Sequence, residues 1–124
     1  MRSGQFHLSV GVKSLAASKA FYSDVLGAEI THDGDYVNLD LYGAQITLKE
    51  NVDMNPELPH LHFGVNLPLV TFTDLAERIA QDHAQWVHTP LHIVDEGTEM
   101  ERQKIYLKCP SGYLIELKGY RHMD

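Results

Sequence analysis

One pattern occurs twice in this 124-residue chain. Phe6-His7-Leu8-Ser9-Val10 matches Leu61-His62-Phe63-Gly64-Val65 in type: apolar, His, apolar, small, Val. Further along each half, Gly43-Ala44-Gln45-Ile46-Thr47-Leu48-Lys49 matches Gly112-Tyr113-Leu114-Ile115-Glu116-Leu117-Lys118. A duplicated pattern restricts the fold to two similar modules. If they pack about a twofold axis, His7, Thr47, His62 and Glu116 converge on one point. His7, His62 and Glu116 are good metal ligands, because imidazole and carboxylate suit divalent cations. Thr47 is a poor one.

The local signals read the same way in both halves. Phe6, Leu8, Val10 and Val12 alternate with His7, Ser9 and Gly11, which predicts a strand with one apolar face. Ser14 stands at an N-cap and Gly27 at a helix stop, with Leu15, Tyr22, Val25 and Leu26 on one helical stripe beside Phe21. Asp33-Gly34-Asp35 marks a turn. Val37, Leu39 and Leu41 form a strand face, and Tyr42-Gly43 turns into a strand carrying Ile46 and Leu48 opposite Gln45, Thr47 and Lys49. The first half therefore reads β-α-β-β-β. Asn51 to Pro59 reads as a linker. His60, His62 and Gly64 then share a strand face, Phe72, Leu75 and Ile79 mark a second helix capped by Thr71, and strands follow near Trp86 to Val94, Gln103 to Leu107 and Tyr113 to Gly119. The expected class is α+β, in one domain over residues 1–124 with modules of about 5–50 and 60–120. Apolar faces should pack under the helices. A carboxylate on that side would be costly, so Glu116 is expected to face a wet or metal-bearing cavity.

Composition narrows the function. With 44% hydrophobic and 22% charged residues the chain is ordinary for a folded domain. A net charge of -7 argues against nucleic-acid binding, which needs clustered Lys and Arg. No apolar run is long enough to cross a bilayer, and no secretory apolar core opens the chain, so a cytoplasmic location is expected. The single Cys109 fits a reducing compartment and reads as a small turn or core residue.

The chain resembles the vicinal oxygen chelate superfamily, which groups glyoxalase I, extradiol ring-cleaving dioxygenases, methylmalonyl-CoA epimerase, and fosfomycin and bleomycin resistance proteins. Phe6-His7-Leu8, Ala20-Phe21-Tyr22-Ser23-Asp24-Val25-Leu26-Gly27, His62-Phe63-Gly64-Val65 and Cys109-Pro110-Ser111-Gly112-Tyr113-Leu114-Ile115-Glu116-Leu117 carry the resemblance, in that order, over nearly the whole chain. It implies paired β-α-β-β-β modules forming an open curved barrel around a divalent metal. The chain departs from the family pattern at Cys109, where Asp is usual, and at Thr47, where glyoxalase-like members place a second carboxylate.

Two imidazoles and one carboxylate leave metal positions open for substrate and O₂ and suit non-haem Fe(II). The first expectation is thus a dioxygenase-type oxidoreductase holding Fe(II), with Mn, Zn, Ni or Co as other metals. The alternatives are a glyoxalase- or epimerase-like lyase or isomerase and a non-enzymatic drug-binding resistance protein. His60 is a candidate acid or base. Tyr106 is a candidate substrate donor on the resemblance, its facing direction left open. Gln45, Thr47 and Lys49 are candidate substrate contacts, and Lys118 flanks Glu116. His32, His83, His88, His92 and His122 read as surface residues, and Asp95, Glu96, Glu99 and Glu101 as a solvated hairpin. Similar short members imply a homodimer that binds a small molecule, with neither nucleic acid nor membrane as partner.

Overall fold

Ser14 fixes the first helix as its position predicts. Its side chain accepts a hydrogen bond from the Ala17 N–H, and Leu15–Ala20 (α1) follows. This is a computed structural model, and it describes residues 5–51 and 62–122. His60 and nearly all of the expected linker lie outside the described residues. From Phe21–Val25 the helix widens to a π turn, which brings Phe21, Tyr22 and Val25 all to the buried side. The rings of Phe21 and Tyr22 meet edge to face at 5.4 Å. Gly27 ends the segment at φ 75°, a conformation that favours glycine.

Around α1 the strands are β1 (His7–Val12), β2 (Glu29–Asp33), β3 (Tyr36–Leu41) and β4 (Ala44–Glu50), forming an open sheet in the order β1-β4-β3-β2. β1 runs parallel to β4, and the other pairs are antiparallel. The β3–β4 hairpin turns on Tyr42 and Gly43, both at positive φ, as a two-residue connection requires. Val37, Leu39, Leu41, Ile46 and Leu48 are buried, as their alternation predicts. Phe6 departs from expectation. It is 67% exposed, although its carbonyl accepts the Gln45 N–H of β4 at 2.8 Å.

The second sheet repeats this plan with β5 (His62–Pro68), β6 (Val87–Val94), β7 (Arg102–Lys108) and β8 (Leu114–Tyr120), in the order β5-β8-β7-β6. The intervening helix α2 (Leu69–Asp82) buries Phe72, Leu75, Ala76 and Ile79. It begins directly after Pro68, three residues earlier than the Thr71 cap predicts. Pro68 holds the N-cap with φ −57° and ψ 145° and makes no side-chain cap hydrogen bond, so the fixed proline φ, and not a hydroxyl, marks the helix start. The chain divides into two compact units, Met1–Pro56 and Glu57–Asp124, each built on one of the two sheets. The two sheets make the fold α+β.

Register shows that the repeat is structural. Ser9 pairs with Thr47 on β1 and β4, while Gly64 pairs with Glu116 on β5 and β8. Likewise His7 faces Gln45 and His62 faces Leu114. These are the pairs that the sequence alignment of the two halves demands.

Candidate metal centre

Glu116 is the centre of the second sheet's polar face. It is 7% exposed, although it carries a formal charge. Its position is set by the ladders on either side: Gly64 lies beside it on β5 and Tyr106 on β7. The Tyr106 hydroxyl donates to Glu116 Oε2 at 2.7 Å. Lys104 Nζ lies 3.4 Å from the same oxygen, and Lys118 Nζ lies 3.9 Å from Oε1. His62 Nε2 lies 3.6 Å from Oε1, with its side chain 44% exposed. The His62 and Tyr106 rings meet edge to face at 6.0 Å.

Burial pushes the Glu116 pKa up, but the Tyr106 hydrogen bond and the charges of Lys118 and Lys104 outweigh it and hold the carboxyl below the usual carboxylate range. Glu116 is therefore ionised at neutral pH. The Tyr106 phenol is pushed up, first by its hydrogen bond to Glu116, then by burial and by the Glu116 charge. Tyr106 thus stays protonated and acts as a donor, not as a base. Its facing direction, left open by the sequence, is toward Glu116.

The donor chemistry of this pair fits a divalent cation. Metal bonds of about 2.1 Å at about 90–120° place two ligand atoms about 3.0–3.6 Å apart. The observed His62–Glu116 spacing of 3.6 Å falls at the upper end of that range. Among the described residues no group of three His, Cys, Asp or Glu side chains forms a ready-made cage. The second unit brings two donors together, and His7 stands exposed on β1 in the first.

The first sheet has a polar pair at the equivalent place. The Thr47 hydroxyl, 8% exposed, donates to Asn38 Oδ1 at 2.7 Å. Asn38 and Thr47 are register partners on β3 and β4, as Tyr106 and Glu116 are on β7 and β8. Of the residues expected near substrate, Gln45 is half-buried and Lys49 is exposed at the far end of β4. Asn38 and Lys104 carry no sequence signal of their own. Each is placed by hairpin register, two residues from an alternating neighbour on the same strand face.

The acidic hairpin is more ordered than its composition predicts. Glu101 is buried, accepting from the Gly97 N–H at 2.9 Å and from the Arg121 guanidinium. Asp95 pairs with Arg102 at 2.7 Å. Cys109 is buried in the turn before β8, where its N–H donates to the Tyr113 carbonyl.

The sequence matches a known family over residues 4–117, described as the Glyoxalase/Bleomycin resistance protein/Dioxygenase superfamily. The chain belongs to that superfamily. Its fold resembles a superfamily structure from Alicyclobacillus acidocaldarius at TM-score 0.81 and 25% identity, covering 97% of this chain and 93% of that one. It also resembles the fosfomycin resistance protein FosX from Listeria monocytogenes, with TM-score 0.75 and 22% identity over 96% of this chain and 94% of FosX. A second FosX structure, complexed with Mn(II) and sulfate, matches at TM-score 0.67 and 22% identity over 96% and 93%. At this identity FosX shares the fold alone. No curated protein matches the chain. Among the described residues of this superfamily member, no helix is long and apolar enough to cross a membrane.

Proposed function

We propose that this chain is a metal-dependent oxidoreductase resembling extradiol ring-cleaving dioxygenases, with His7, His62 and Glu116 holding one divalent cation. Fe(II) is the first choice, ahead of Mn, Zn, Ni or Co. One observation carries the reading: Glu116 is a buried, ionised carboxylate facing an imidazole, while the repeat-related Thr47 hydroxyl is committed to Asn38. That contrast supports three protein ligands in place of four.

A bound metal would supply Lewis acidity and open positions for a chelating substrate and dioxygen. The chain's own residues do the rest. Tyr106 fixes the Glu116 carboxylate by donating to Oε2, which leaves Oε1 turned to His62. Thr47 and Gln45 in the first unit, with Lys49 beyond them, are proposed to meet the substrate. His60 is proposed as an acid or base. A homodimer in the cytoplasm is part of the same reading, and short relatives with one pair of modules motivate it.

Anaerobic purification followed by metal analysis tests the proposal. We expect about one equivalent of iron per chain, and oxygen uptake with at least one catechol from a broad panel. Bound iron without oxygen uptake on any catechol would remove the dioxygenase reading. Metal-dependent turnover of hemithioacetals or acyl-CoA thioesters without oxygen would replace it by a lyase or isomerase. A solution mass equal to the 14.0 kDa chain at micromolar concentration would contradict the dimer.

A further inference from the structure

The second sheet has an unusual charge balance for a chain of net charge -7. Its strands contain Arg102, Lys104, Lys108 and Lys118, but Glu116 is their one acidic residue. The first sheet is the reverse, with Glu29, Asp33, Asp40 and Glu50 against Lys49. Arg102 is matched by Asp95 from the adjoining loop. Among the described residues, Lys104 and Lys118 are matched by Glu116 alone. They stand as register partners on β7 and β8, with side chains 21% and 26% exposed. Two partly desolvated ammonium groups thus share a single carboxylate. Lys118 also lies 5.9 Å from the Tyr120 ring centre, which leaves its charge unneutralised.

We infer that Lys104 and Lys118 form a binding site for an anionic group of the ligand, a carboxylate or a phospho group, beside the oxygens that would chelate the metal. The inference deepens the metal-site reading and rests on it for the chelating half of the ligand. The charge count makes the case. Without metal, two lysines exceed one carboxylate by one positive charge. A divalent cation drawing on Glu116 raises that excess further. Partial burial raises the cost of such an excess, and an anion that enters with it lowers that cost. Lysine ammonium groups on flexible stems suit a tetrahedral or planar oxyanion equally well. A neutral ligand of the same size would leave both lysines with Glu116 as their one shared counter-charge. The preferred ligand therefore carries a fixed negative charge within reach of β7 and β8.

Anion binding to metal-free protein tests the lysine pair apart from the metal. Glu116→Gln removes the lysines' shared counter-charge. We expect it to bind inorganic phosphate or malonate at least ten-fold more tightly than metal-free wild type in calorimetric titrations, with the gain shrinking as salt is raised. Adding Lys104→Gln and Lys118→Gln to that variant should abolish the gain. Phosphate binding above malonate would indicate a phospho group, and the reverse a carboxylate. No gain, or a gain that survives loss of both lysines, would overturn the inference. A second arm avoids Glu116 altogether. Lys104→Gln with Lys118→Gln should bind Mn(II) at least as tightly as wild type, yet lose ten-fold or more in affinity for 3,4-dihydroxybenzoate while catechol changes less than three-fold. Equal losses for both ligands would also overturn it. Failure of wild type to bind Mn(II) would instead sink the metal reading, and the metal-free arm would still decide the role of the lysines.

Discussion

The Tyr106 hydroxyl donates to Glu116 Oε2 at 2.7 Å, across a register pair of β7 and β8. This bond, with Lys104 Nζ 3.4 Å from the same oxygen, orients the carboxylate and leaves its other oxygen toward His62 Nε2 at 3.6 Å. Groups that orient a metal ligand typically change metal affinity about 10–100-fold when removed. Tyr106→Phe deletes the donor and keeps the ring that packs on His62. We predict Mn(II) affinity about ten-fold weaker in calorimetric titration, with the same stoichiometry. An affinity within two-fold of wild type would show that Glu116 needs no such support.

Gly64 makes the close approach of β5 to β8 feasible. A Cβ built there would collide with the backbone carbonyl of Glu116, its register partner, and would lie 2.9 Å from the Glu116 nitrogen. Backbone cannot rotate away as a side chain can. Overpacking of this kind costs about 1–3 kcal/mol, and more where nothing yields. We predict that Gly64→Ala loses about 3 kcal/mol or more in urea unfolding and lowers metal affinity by displacing Glu116. A loss below about 1 kcal/mol would mean that β5 and β8 have slack the structure does not show.

The duplicated strands are legible in sequence because two-residue periodicity survives in Val37, Leu39 and Leu41 and in Ile46 and Leu48, with Thr47 between them on the other face. Matching the halves then places Thr47 and Glu116 at equivalent ladder positions, and the registers agree. What cannot be read is what depends on pairing across a turn. Lys104 and Asn38 are unremarkable polar residues in sequence. They gain meaning only when the hairpins set them beside Glu116 and Thr47. Glu101 reads as solvated because its partner Arg121 is 20 residues away. Thr71 reads as a cap because a hydroxyl before an apolar stripe is a local signal, whereas Pro68 starts α2 through backbone geometry alone.

Acid should loosen the β6–β7 hairpin through Glu101. The Gly97 N–H, then the Arg121 hydrogen bond, hold its carboxyl below the usual range against a smaller opposing effect of burial. A depressed folded-state pKa gives stability that is complete above the ordinary carboxylate range. That stability is lost as pH falls through the lowered value. Between neutral pH and that point, Glu101→Gln should be less stable than wild type, and the gap should close in stronger acid. Urea midpoints from pH 7 downward measure this. A gap that is constant with pH would assign the effect to packing in place of charge.

Thr47 separates three protein ligands from four. Its hydroxyl is buried and donates to Asn38 Oδ1 at 2.7 Å, so it already has its partner. Thr47→Val keeps the shape and removes the donor, leaving the Asn38 carbonyl oxygen without this bond. A lost internal hydrogen bond of this type costs about 1 kcal/mol. We predict that loss in urea unfolding, with Mn(II) affinity unchanged within two-fold, because the Thr47 hydroxyl is committed to Asn38 and neither holds a metal nor orients a residue that would. A ten-fold fall in metal affinity at unchanged stability would make Thr47 a ligand. That would also end the argument from open positions, since the metal would then lack the vacancy that a chelating substrate and dioxygen together require.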